Sequence, residues 1–207
     1  MSSPPPTSPT PLTNNQENEQ EQQQPWQPSR ADIQIAVEGP TVWRTRRELV
    51  PHPVLRVGIP KIPDELLPHA RLTAEVKVVE AYGRDVRASL LGGAPATVVG
   101  VECPAVKPPS VGPGGMHYCD YYFVFDLMYL RAGKHWLHFT VRYQSGLGVG
   151  GHDACELGQK RTTFGCETTL SSPDNGSVPG YFDLRILKQL KETGKFSVLN
   201  RTTAYDD

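Results

Sequence analysis

Residues 119–143 read CDYYFVFDLMYLRAGKHWLHFTVRY, and their alternation decides how this chain folds. Cys119, Tyr121, Phe123 and Phe125 fall on one face of an extended strand, and Leu137, Phe139, Val141 and Tyr143 on one face of another. Arg131-Ala132-Gly133 between them has turn composition, so the stretch predicts a β-hairpin running through the core. Outward from this centre the same period recurs. Ile33, Ile35 and Val37 share a face, as do Leu55, Val57 and Ile59. From Arg71 to Glu80, Leu72, Ala74, Val76 and Val78 alternate with Arg71, Thr73, Glu75 and Lys77, the pattern of an amphipathic strand. Further strands are expected over Thr97 to Val101, between Gln159 and Thr168, and at Phe196 to Val198.

The connections have turn composition as well. Gly numbers 19 and Pro 20 in 207 residues, and most fall between short apolar runs, which suits a turn-rich β protein. Asp183 to Thr193 reads as the single helix. Asp183 suits the N-cap, Leu184, Leu187 and Leu190 form an apolar stripe, Lys188 and Lys191 suit the last turn, and Gly194 suits C′. So short a helix must pack on the strands to persist. About eight strands and one late helix predict a mainly β, immunoglobulin-like sandwich.

Residues 1–30 have a different composition. They contain Pro4-Pro5-Pro6, a run from Asn14 to Gln24 of almost only Asn, Gln and Glu, and Pro25-Trp26-Gln27-Pro28. Too little apolar surface is present to offset ordering entropy, so a disordered arm is expected, with Trp26 exposed or loosely docked. The division is therefore an arm over 1–30, one folded domain over 31–203 and a tail over 204–207. The formal net charge of the chain is −1. Glu17, Glu19 and Glu21 against Arg30 leave the arm at −2, so the remainder carries +1. A near-neutral body gives little long-range steering, and attraction to nucleic acid would have to come from a local cluster.

Such a cluster is present. Arg44, Arg46 and Arg47 lie within four positions beside Trp43, between two predicted strands. The guanidinium fork bonds two phosphate oxygens, or guanine O6 and N7, at once. A solvated charged loop is the alternative reading of the same residues. Lys61, Lys107, Lys160 and Arg161 would widen the patch if they shared its face, which periodicity does not decide. In the aromatic strand, alternation leaves Tyr122 and Val124 pointing away from Tyr121, Phe123 and Phe125, and makes that pair the expected dimer contact.

Enzymatic and metal chemistry find little support. No G-x-S-x-G elbow, phosphate loop or H-E-x-x-H is present, and Gly146 to Gly151 precedes polar sequence rather than a helix. No catalytic residue and no small-molecule substrate are assigned. The spacing of His117, Cys119, His152, Cys155 and Cys166 matches no zinc pattern, and His135 and His138 fall on opposite strand faces, so no metal and no cofactor are expected. The four cysteines, Cys103, Cys119, Cys155 and Cys166, read as free thiols. No apolar run is long enough for a membrane span, and the N-terminus lacks a basic and an apolar signal region. A nuclear or cytoplasmic protein follows as the expectation.

Three stretches, taken in order, resemble the fungal velvet domain. The first is Ile33-Gln34-Ile35-Ala36-Val37 with Pro40, Arg44-Thr45-Arg46-Arg47 and Pro51-His52-Pro53-Val54-Leu55-Arg56-Val57. It is similar to the family's opening strand, basic loop and second strand. The second is Tyr122-Phe123-Val124-Phe125-Asp126-Leu127 with Leu130-Arg131-Ala132-Gly133 and Leu137-His138-Phe139. The third runs from Pro179-Gly180 through Leu184, Leu187 and Leu190-Lys191 to Gly194. The chain departs from the family's pattern at Glu38-Gly39-Pro40 and Val50-Pro51-His52-Pro53, on either side of the basic loop. The resemblance implies a Rel-homology-like fold and a nuclear regulator of development, sporulation and secondary metabolism. It further implies double-stranded DNA as a ligand, bound through Arg44, Arg46 and Arg47, and homo- or heterodimers with other velvet-domain proteins. The alternative is a β-sandwich interaction module that does not bind DNA.

Overall fold

The computed structural model describes residues 31–80, 96–128, 131–145, 153–170 and 184–203, together with Trp26, Pro28 and Tyr205. Among these, the chain is mainly β and forms two sheets. The first contains β1 (Asp32–Val37), β3 (Val54–Pro60), β8 (His117–Val124) and β6 (Val101–Glu102) in that order, with β7 (Ser110–Val111) also on β8. The second runs β2 (Val42–Arg44), β11 (Cys166–Thr169), β9 (Gly133–Ser145), β4 (Ala70–Val79), β5 (Ala96–Val99), with β10 (Asp153–Arg161) on β9. No described helix is long and apolar enough to cross a membrane.

The two strands of the central aromatic stretch are not a hairpin, which corrects the sequence expectation. β8 pairs with β3 in the first sheet, while β9 pairs with β4, β10 and β11 in the second. Their predicted inward residues therefore face one another across the sandwich rather than along a ladder. Tyr121, Phe123 and Phe125 share one buried cluster with Leu137, Phe139, Val141 and Tyr143, and the Phe125 and Phe139 rings lie 5.0 Å apart. Alternation correctly identifies the buried face, but a period of two does not name the neighbouring strand. Leu72, Ala74, Val76 and Val78 of β4, and Leu55, Val57 and Ile59 of β3, complete this cluster as the pattern predicted.

Two other predicted strands each divide in two. Thr97 to Val101 splits at Gly100, where β5 ends in the second sheet and β6 begins in the first. A Cβ at Gly100 would lie 2.6 Å from the Phe123 ring, so only glycine lets the chain cross so close to the core. The stretch from Gln159 to Thr168 breaks over Thr162 to Gly165 between β10 and β11. In β1, a register shift between Ile35 and Val37 turns Val37 away from the face of Ile33.

Val37 instead joins a second buried cluster on the outer side of the first sheet. There α1 (Leu184–Glu192) and α2 (Ser197–Arg201) lay Leu187, Leu190, Val198 and Leu199 over Val54, Tyr122 and Val124. The helix read from the Leu stripe is present, and Gly194 ends it with φ of +67°. Asp183, its expected N-cap, lies outside the described residues. Phe196 and Val198 do not form a final strand: Phe196 caps α2 and Val198 lies within it. Trp26 docks edge-on to Tyr143 with ring centroids 5.4 Å apart. The rest of the arm apart from Pro28, the glycine-rich loop over 146–151 and the connection over 171–180 lie outside the described residues.

Candidate nucleic-acid interface

β2 is a three-residue strand on the edge of the second sheet, paired in parallel with β11, with Trp43 beside Thr168 and Arg44 beside Thr169. Thr168 is buried and Trp43 packs against the main core, so Arg44 projects from the opposite side of the sheet. Immediately after it, the Thr45 N–H donates to the Thr169 carbonyl (3.0 Å), and the Thr45 side chain is buried. The chain then turns. Arg46 takes a left-handed conformation with φ of 62°, and the Trp43 indole donates to the Arg47 carbonyl (3.4 Å). Beyond the turn, the Leu49 N–H donates to the Leu127 carbonyl (2.8 Å), and Leu49 is buried.

Arg46 and Arg47 are therefore exposed at the tip of a turn anchored on both sides by backbone hydrogen bonds and a buried side chain. The three arginines do not point as one group. Arg46 and Arg47 occupy the tip, whereas Arg44 is half-buried on the sheet. Of the cations considered as extensions, Lys61 pairs with Asp64 (3.1 Å) and Lys107 with Asp120 (2.7 Å), both beside the first sheet. Lys160 lies opposite Phe139 on β9, whose side chain points into the core, while Arg161 lies opposite His138 on the outward-facing set of β9.

The expected dimer contact is not exposed. Tyr122 and Val124 do point away from the inter-sheet core, but α1 and α2 cover them, leaving 1% and 4% of each accessible. Strand alternation assigns a face, and elements about 60 residues later in the chain decide whether that face meets water. His135 and His138 do lie on opposite faces: His135 is buried toward the core, and its pKa is lowered by that burial, offset in part by the Arg131 backbone.

Behind the basic turn lies a polar cluster that sequence reasoning did not find. His52 is wholly buried, and its backbone N–H donates to the Tyr205 hydroxyl (3.0 Å). Its Nδ1 lies 2.7 Å from the same hydroxyl, and Nε2 lies 2.7 Å from Glu48 Oε1. A carboxylate only accepts, so in the neutral imidazole Nε2–H donates to Glu48 and Nδ1 accepts from Tyr205. Burial pushes the Tyr205 hydroxyl up to about 12, against the opposing effect of the His52 N–H. Asp126 brings a carboxylate oxygen within 4.8 Å of the Glu48 and His52 ligand atoms, and Arg201 donates to Asp126 (2.7 Å). Two contacts thus tie the C-terminal segment to the base of the turn. The only sequence signal was His52 held between Pro51 and Pro53; Tyr205 is 153 positions away and gave none.

Together, the fold and this site define a class: a two-sheeted, mainly β protein that presents an anchored arginine turn at one sheet edge. The sequence matches no known family model and no curated protein.

Proposed function

We propose that this chain is a velvet-like, Rel-homology-type transcriptional regulator that binds double-stranded DNA through its basic turn and acts in the nucleus as a homo- or heterodimer. Fungal development, sporulation and secondary metabolism are the processes that the resemblance implies. The observation that carries the reading is the anchored turn: Arg46 and Arg47 are exposed on backbone that is hydrogen-bonded on both sides. Preorganisation of this kind lowers the ordering cost of contacting phosphate, and arginine suits bidentate contact. Dimerisation would use a surface other than Tyr122 and Val124, which the helices cover.

The near-neutral charge of the domain favours one rival, an interaction module in which the turn is merely solvated. Fluorescence anisotropy on a mixed-sequence duplex separates the two. The parent should bind with an affinity that falls as salt rises, by about 0.9 log units per log unit of salt for each phosphate neutralised. The Arg44→Ala/Arg46→Ala/Arg47→Ala variant should lose that binding. A variant that binds as the parent does would leave the turn without the proposed role.

A further inference from the structure

The register of the second sheet extends the charge of the basic turn across a surface that sequence could not assemble. On β11, Cys166 and Thr168 are buried while Glu167 is exposed, and Glu167 lies between Val42 of β2 and Lys134 of β9. Arg44, two residues along from Val42, shares that outward side. On β9, His135, Leu137, Phe139, Val141 and Tyr143 are buried toward the core, so Lys134, Trp136 and His138 point outward, as does Thr140, which is itself covered. Arg161 of β10 lies directly opposite His138. Arg44, Lys134 and Arg161 therefore share one face. They extend roughly 10 Å across the strands and roughly 20 Å along β9, from Arg44 level with residue 132 to Arg161 opposite His138, by the usual strand spacing and rise.

Trp136 organises the centre of this face. The Arg161 guanidinium carbon lies 4.8 Å from the indole centroid, and Lys134 Nζ lies 5.6 Å from it. A Cβ added to Gly165 would come within 2.7 Å of the same ring, so backbone packs against the indole. With two cations and a backbone segment around it, the ring is a poor platform for a base, but it holds the cations in place. An arginine lying against an aromatic ring keeps its N–H edges for phosphate. Carboxylates stand on this face too: Glu75 is bonded by Arg142 (3.0 Å), and Glu167 is exposed beside Lys134.

Resting on the DNA-binding reading above, we infer that the outward face of the second sheet is a second part of the duplex contact. Arg44, Lys134 and Arg161 neutralise backbone phosphates there, and Trp136 is a positioning residue for the last two. The partner is duplex DNA, recognised by its phosphate charge rather than by its bases.

The test is anisotropy on the full chain with a fluorescein-labelled mixed duplex over a salt series. Lys134→Ala/Arg161→Ala should bind at least about tenfold more weakly at low salt, with a log–log salt slope shallower by about 1.8, the loss of two phosphate contacts. Trp136→Leu, which keeps an apolar filler without a π face, should show the same shallower slope, while Trp136→Phe should bind within about threefold of the parent. Lys61→Ala, which removes a cation beside the other sheet, is the control for charge lost away from this face. If the double variant binds like Lys61→Ala while the arginine-turn variant loses binding, the face inference is overturned and the turn keeps its role. Loss in the double variant with full binding by the turn variant supports the Lys134 and Arg161 contacts and overturns both the turn and the role of Arg44 on the face. A parent that binds no duplex at any salt overturns both.

Discussion

Arg46 is the residue on which the functional reading and local strain meet. A non-glycine side chain at φ of 62° is disfavoured by contact between Cβ and the carbonyl, a cost of roughly 1–2 kcal/mol. Arg46→Gly removes that strain together with the charge. Urea denaturation should show stability unchanged or raised by up to about 1 kcal/mol, while duplex affinity falls, separating function from folding at one position. Behind it, Tyr205→Phe removes the hydroxyl that meets both the His52 N–H and Nδ1. Because both groups are buried, thermal or urea unfolding should report a loss of about 1–3 kcal/mol. The arginine cluster was legible because three like side chains in four positions stand out in any sequence. The His52–Tyr205 contact was not, because nothing local marks a hydrogen bond between residues 153 positions apart.

At the scale of elements, periodicity named faces and left partners open. β4 emerged with its predicted inward set, since one run of alternating residues is enough to define a strand with one buried side. β8 and β9 were read as a hairpin because both are apolar and a turn separates them. The real connection passes from one sheet to the other, as does the one at Gly100. The helices show the same limit. The Leu stripe of α1 predicted a helix needing an apolar surface, but not that Tyr122 and Val124 would supply it. Leu187→Ala should therefore do more than remove side-chain contacts in α1. The cavity should cost about 2–5 kcal/mol in urea denaturation, and loosening of the layer should make Tyr122 reactive to an aqueous tyrosine-nitrating reagent.

For the whole molecule, buried titratable groups set the pH range of stability. The His135 pKa is lowered in the folded state, so the unfolded chain binds more protons as pH falls below the ordinary value of 6.5. The stability His135 contributes is present above 6.5 and is lost as pH falls through its lower folded value. Cys119, Cys166 and Tyr205 act at the other end. Burial raises them to about 11, about 12 and about 12, so the folded state keeps protons that the unfolded chain gives up above pH 9–10. Their contribution is complete below those values and is lost as pH rises toward 11–12. Urea midpoints should form a plateau over about pH 7–9 and decline on both sides, with the decline just below 6.5 reduced in His135→Gln.

The sequence by itself determined that this protein is mainly β, which side chains of its longest strands turn inward, and where its arginines concentrate. Those properties follow from chain-local spacing: a two-residue period fixes a face, and neighbouring residues fix a local charge. Tertiary structure alone decided that the central strands belong to opposite sheets, that helices cover the outward aromatic pair, and that Tyr205 reaches His52. It alone placed Lys134, Trp136 and Arg161 on the face that carries Arg44. The physical reason is that strand pairing and layer packing bring together residues far apart in the chain, and the free energy of those contacts depends on pairs, which no single stretch of sequence encodes.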